Sequence, residues 1–263
     1  MNKPFFSFLW IMMMLACQNQ KSENTIPEEK KSDQIYQYSL FTALANSIYD
    51  GNLTVAEVKE HGDLGLGTFN GLNGEMIVHD GSVYQFLADG TVRQPDNHEL
   101  APFVVVTFFE KDQIIEMQEP TNYNELKTLI ETRLPSENLA YAFKIKGNFQ
   151  HLKCGSADRQ EKPYGNTLSE AIADRPTFEW KNITGAMVGF WFPEYVGGVN
   201  ISGFHLHFIS DDKKMAGHVL EFQAKDLTVE MDICDGFDVV LPQTQEFNKA
   251  SFDLSQQYNN PKK

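Results

Sequence analysis

Phe204-His205-Leu206-His207-Phe208 sets two imidazoles two residues apart among apolar neighbours, and Gly217-His218-Val219-Leu220 adds a third. In an extended segment successive side chains alternate between faces, so His205 and His207 share one face and Leu206 takes the other. Asp211-Asp212-Lys213-Lys214 is a polar turn candidate, and the residues from Met215 to Phe222 are the natural returning strand. A symmetric turn keeps a constant sum of residue numbers across the pair, so 211 faces 214 and 207 faces 218. Facing residues of an antiparallel pair point to the same side with Cβ atoms about 4.5–5.5 Å apart, and His205 then lies on the diagonal. Three neutral imidazoles in one small volume are a ligand set for a transition metal. With Zn²⁺ they leave a fourth position open, the arrangement of a catalytic centre rather than a structural one. Ligand type alone does not exclude iron, manganese, nickel or copper. A lone HxH pair would be ambiguous, because a histidine on an apolar strand is often a satisfied core residue; the third histidine at the matching hairpin position argues for a metal.

The elements that must position these groups are mostly strands. Residues 35–48 carry Leu40, Phe41, Leu44, Ala45 and Ile48 at helical spacing, which predicts an amphipathic helix. Residues 53–61 predict a second one, with Thr54 as N-cap, Glu57 as its capping-box partner and Gly62 as its end. Frequent glycines from Gly62 to Gly90 then punctuate short segments, 76–78, 83–87 and 91–93, in the rhythm of β-hairpins. The continuous apolar run 103–109 fits a strand buried on both faces. Residues 123–132 look helical, and strand patterns fill 140–152, 184–192, 200–209, 217–224 and 227–234. The expected fold is therefore α+β: predominantly antiparallel or mixed sheet, a few helices and a β-rich, metal-binding C-terminal half. One domain over residues 35–263 is the economical reading, and two packed subdomains dividing near residue 150 are the alternative.

The start of the chain reads differently. Residues 1–16 carry Lys3, an apolar run from Phe5 to Leu15 and small Ala16, as in an export signal, and the run is too short to span a bilayer comfortably. Met14-Leu15-Ala16-Cys17 resembles a bacterial lipobox, which would leave Cys17 as the lipid-bearing first residue. Residues 17–34 suit a flexible tether. The expectation is an exported protein, lipid-anchored on the periplasmic or cell-surface side of a bacterial membrane. Acidic residues outnumber basic ones 36 to 22, a formal charge of −14, and no Lys/Arg stripe is present. Nucleic acid is thus not an expected partner, and membrane contact is expected through the lipid alone. Cys154 and Cys234 are too far apart in sequence for a CxxC site; they read as two buried thiols or as one disulfide.

Three blocks together resemble a known family. Gly62-Asp63-Leu64-Gly65-Leu66-Gly67-Thr68-Phe69 with Leu72-Asn73-Gly74-Glu75, then Val188-Gly189-Phe190-Trp191-Phe192-Pro193-Glu194-Tyr195, then the histidine segments, are similar in order and spacing to the α-acetolactate decarboxylases. The resemblance extends over about residues 38 to 254. It implies a zinc enzyme, possible as a homodimer, that converts 2-acetolactate, a 2-hydroxy-3-keto acid, to acetoin and carbon dioxide, with the metal on His205, His207 and His218. It also implies that Glu75, in a loop-like segment, is the proton donor or relay, and that Thr68 helps shape the pocket. Glu194 reads as structural.

Two departures from the family pattern stand out. Where the family carries an arginine that engages the substrate carboxylate, this chain has Gly155; Arg159, four residues on, is the candidate substitute. The family also supplies a glutamate from its C-terminal tail, whereas residues 255–263 contain no acid and Asp253 is the last carboxylate. Two other readings therefore stand beside the decarboxylase: a zinc-retaining binding lipoprotein that has lost turnover, and a cupin-like metal enzyme of other chemistry, against which the Gly62 to Glu75 block argues.

Overall fold

A computed structural model describes residues 33–253; the expected signal, Cys17, nearly all of the tether and residues 254–263 lie outside the described residues. In chain order the elements begin β1 (Gln34–Tyr38), α1 (Phe41–Ala45), β2 (Leu53–Thr54), α2 (Val55–His61), β3 (Leu64–Thr68), β4 (Glu75–His79), β5 (Ser82–Phe86), β6 (Val92–Arg93), β7 (Leu100–Ala101) and β8 (Phe103–Thr107). There follow β9 (Gln113–Met117), β10 (Thr121–Asn122), α3 (Tyr123–Glu131), β11 (Ala140–Gly155), α4 (Leu168–Ala171), β12 (Thr177–Phe192), β13 (Gly203–Ser210), β14 (Ala216–Cys234), β15 (Gly236–Val240) and α5 (Gln245–Lys249).

These form two main sheets. The first has seven short strands in the order β15-β1-β8-β3-β4-β5-β6, antiparallel except for the parallel β1–β15 edge. The second runs β10-β14-β11-β12-β13 and is dominated by three long strands. Its strand β14 hydrogen-bonds β11 on one side and, at its start, β13 on the other, so β11, β12, β13 and β14 close on themselves around His218. The α+β class with mixed sheet is the one expected. Among the described residues no helix is long and apolar enough to cross a membrane.

The expected helix over 35–48 is corrected. Its first part is β1, and the helix is confined to Phe41–Ala45. Ile35 packs in the core between the two sheets while Tyr36 and Tyr38 face the opposite core, so a strand buried on both faces shows no alternation that a polarity pattern can register. Ser39, at φ 72°, then breaks the chain direction before the helix. The second helix is as expected: Thr54 Oγ1 accepts from Glu57 N at 3.2 Å and Glu57 Oε2 accepts from Thr54 N at 2.8 Å. Gly62 caps it in extended backbone, and its need is proximity, since a Cβ there would lie 2.7 Å from the Thr107 backbone.

Three apolar clusters hold the layers. Strand β8 sends Phe103 and Val105 into the inter-sheet core and Val104 and Val106 against Val55 and Val58 of α2. Strands β3 and β4 repeat the division: Leu64, Leu66 and Ile77 face the second sheet, and Met76 and Val78 face the helix. A third cluster fills the second sheet's far side, where Phe204, Leu206 and Phe208 meet Met187 and Val219, with Leu126 and Ile130 of α3. Cys154 and Cys234 are both buried and both free.

Candidate metal centre

The β13–β14 hairpin has the expected register. Ser210 N donates to Met215 O at 2.8 Å across the turn, Ile209 pairs Ala216, Phe208 pairs Gly217 and His207 pairs His218. The Ser210 hydroxyl also accepts from Lys214 N and Met215 N, which ties down the polar turn. Because Phe204, Leu206 and Phe208 are drawn into the apolar cluster on one side, His205 and His207 must emerge on the other, toward the first sheet. Ring centroids are 5.0 Å apart for His205–His207, 5.0 Å for His205–His218 and 5.3 Å for His207–His218. One ligating atom from each lies within 4.8 Å of the others.

The donor set suits a cation. His207 Nδ1 donates to Met76 O of β4 at 2.8 Å; a carbonyl only accepts, so Nε2 presents its lone pair. That Nε2, and Nδ1 of His205, are buried nitrogens that make no hydrogen bond among the described residues. Buried polar atoms are ordinarily satisfied, and an ion between the rings would satisfy both. Burial also depresses the imidazoles. His207 is pushed down to about 4, against the raising effect of its hydrogen bond to Met76 O and with the Arg175 guanidinium adding to the lowering. His205 and His218 are pushed well below the usual histidine value, where neighbouring rings and Arg175 add to burial. All three are thus neutral near pH 7, the form that ligates.

Glu75 is not in a loop, as the sequence suggested, but is the first residue of β4, directly opposite Thr68 of β3. The glycine-rich turn ends one residue earlier, with Leu72 at φ 54° and Gly74 at φ 76°. Strand alternation sends Glu75 to the same face as Ile77, into the inter-sheet core beside the histidines. Its Oε1 accepts from Ala157 N at 3.1 Å, and its Oε2 lies 3.5 Å from His207 Nε2. Burial raises this carboxyl to about 7, against the lowering effect of Arg175 and of the Ala157 hydrogen bond. Thr68 Oγ1 donates to Gly74 O at 2.7 Å, so its polar atom is spent on fixing the turn that delivers Glu75.

These groups line one pocket of about 70 Å³, walled by Phe41, Leu44, Leu72 and Phe103 and bearing Thr68, Glu75, the three histidines and Arg175. Arg159 is not in the lining. It is 65% exposed with its Nε 3.6 Å from Glu161, so the loop carries it outward. Arg175, which the sequence reading passed over, lies in the segment after α4, where no spacing or motif marks it.

Residues 35–254 match the family described as alpha-acetolactate decarboxylase. The chain belongs to this family. Among curated alpha-acetolactate decarboxylases, that of Methanosarcina mazei is 42% identical over 230 residues, 87% of this chain and 80% of the relative. The alpha-acetolactate decarboxylase of Bacillus licheniformis is 38% identical, covering 86% and 89%. The solved alpha-acetolactate decarboxylase of Bacillus subtilis superposes with a TM-score of 0.81 at 37% identity, over 84% of this chain and 94% of that one. A Staphylococcus aureus structure, described as a protein of unknown function similar to alpha-acetolactate decarboxylase, gives the same TM-score at 31% identity, over 84% and 95%.

Proposed function

We propose that this member of the alpha-acetolactate decarboxylase family converts 2-acetolactate to acetoin and carbon dioxide, with His205, His207 and His218 holding a zinc ion. The observation that supports it most is the meeting, in one apolar-walled pocket, of a buried acid and two imidazole nitrogens that make no hydrogen bond among the described residues. When bound, zinc supplies Lewis acidity toward the substrate's oxygens. The protein's own task is the proton. As the bond from C2 to the carboxylate breaks, its electron pair stays on C2, conjugated with the neighbouring ketone, and one proton must be added to C2 to give acetoin. Glu75 is suited to supply it. Its Oε1 is held by Ala157 N, which leaves Oε2 as the oxygen that carries a proton into the pocket, and burial keeps the carboxyl protonatable near neutral pH. Phe41, Leu44, Leu72 and Phe103 exclude water from the carbon to be protonated.

The test is acetoin formation from racemic 2-acetolactate by the zinc-loaded protein, with metal content measured on the same sample. About one zinc per chain and stoichiometric carbon dioxide are expected. Retained zinc without carbon dioxide would sink the reading and favour the binding lipoprotein. We propose in addition that residues 1–16 direct export and that Cys17 carries lipid, on the sequence pattern alone. Incorporation of labelled palmitate that disappears in Cys17→Ala is the expected result, and labelling unchanged by the substitution would overturn it.

A further inference from the structure

We infer that Arg175 receives the carboxylate of the substrate and that Gly155 is the position that admits it. This rests on the decarboxylase reading and adds the residue that reading lacks. Gly155 ends β11 and is paired on one side with His218 of β14 and on the other with Thr177 of β12. Paired residues of an antiparallel ladder point to the same side, so any side chain at 155 would project beside the His218 ring. That volume is already taken. A Cβ on Gly155 would lie 2.7 Å from Arg175 Nε, 3.0 Å from its Cδ and 3.3 Å from its Cζ. The arginine stem lies across the glycine, and no larger residue fits under it in this position.

Arg175 is the sole Lys or Arg among the described residues that line the pocket. It lines the same pocket as Glu75 and all three histidines. Its backbone is anchored: Arg175 N donates to Ile172 O at 3.3 Å, and the next residue's carbonyl, Pro176 O, accepts from Ser156 N at 3.1 Å. The guanidinium itself has no hydrogen-bond or ion-pair partner among the described residues, whereas Arg93 is held by Glu99 and Arg159 sits beside Glu161. A half-buried, uncommitted guanidinium facing a metal centre is a receptor for a planar anion, and it can take a carboxylate with two parallel hydrogen bonds. The substrate's only anionic group is its carboxylate.

The chemistry sets which kinetic constant should move. The carboxylate loses its charge as it becomes carbon dioxide, so the ion pair is stronger with the bound substrate than with the transition state. Arg175 therefore acts in binding and orientation, and its loss raises KM more than it lowers kcat. Charge-assisted hydrogen bonds of this kind correspond to about tenfold to hundredfold in binding.

The experiment uses the zinc-loaded protein, Arg175→Ala, Arg175→Lys and the exchange pair Gly155→Arg with Arg175→Ala. Zinc content, kcat and KM for 2-acetolactate are measured, and calorimetry compares 2-hydroxy-2-methylpropanoate with its uncharged amide. Expected is a KM about tenfold to hundredfold higher in Arg175→Ala with zinc content unchanged, an intermediate value in Arg175→Lys, and loss of the preference for carboxylate over amide. The exchange pair, which returns a guanidinium to the same volume from β11, should recover part of the KM. A carboxylate preference that survives Arg175→Ala, or zinc lost along with the arginine, overturns the inference. An inactive parent whose carboxylate preference still depends on Arg175 would instead sink the decarboxylase reading and leave the inference standing.

Discussion

The two main sheets contribute to the centre in different ways. The second sheet sets the positions of its histidines by hydrogen-bond register: a hairpin, a constant residue sum and an apolar face that forces His205 and His207 outward. The first sheet contributes Glu75 and the Met76 carbonyl, and neither is aligned with the histidines by any ladder; they arrive by packing of one sheet face on another. Register is a property of local sequence, whereas packing is a property of the whole fold. Ligand positions should therefore be robust and separable from the acid, and the acid replaceable without loss of metal.

The most severe way to break the comparison is within the ladder. His207→Ala removes the ligand held from both sheets, and metal content and acetoin formation should both fall to background, measured by metal analysis and product assay. Retained metal would refute the triad. Glu75→Gln comes next: kcat should drop by about 10²- to 10⁴-fold, the usual contribution of a positioned proton donor, while zinc stays near its parent level. Zinc lost with Glu75 would show that the two sheets are not separable and that the acid is itself a ligand.

Chelation sharpens the same point from the side of stability. At a free metal level of about a hundred times Kd, a ligand that binds only the folded state adds about 2.7 kcal/mol, so stripping it should lower Tm by roughly 5–10 °C for a unit of this size. The expected shift is read by thermal melts with and without chelator, and Tm indifferent to the chelator would count against a site that depends on the folded sheets.

The smallest effect lies away from the centre, at Asp232 of β14. It is fully buried, its Oδ2 accepts from Glu110 N at 3.1 Å, and burial raises its carboxyl to about 7. A carboxyl whose folded value is raised above its unfolded 3.8 contributes stability that is complete below 3.8 and lost as pH rises through 7. Asp232→Asn removes that dependence. The Tm of the variant relative to the parent should climb between pH 4.5 and pH 8, and a difference flat with pH would refute the assignment.

How much of this was legible follows from the same contrast. The histidine register and the capping box at Thr54 and Glu57 were readable because each depends on residues close in sequence, and β8 because its apolar run is unbroken. Strand β1 was missed because both of its faces are covered by apolar cores and its two ladder partners, β8 and β15, lie far along the chain. Glu75 was assigned to a loop because the turn residues before it end without any polarity change. Arg175 was invisible for a deeper reason: Ile172-Ala173-Asp174-Arg175-Pro176 carries no periodicity, and only its approach to Gly155 gives it meaning. A glycine inside a strand does signal that something comes close, but not what.

The bond from His207 to Met76 joins residues separated by 131 positions. A chain segment carrying the β13–β14 hairpin by itself has all three imidazoles yet lacks the contact that fixes this tautomer, which the amino-terminal half supplies. Completion of the ligand geometry therefore requires both halves of the chain together.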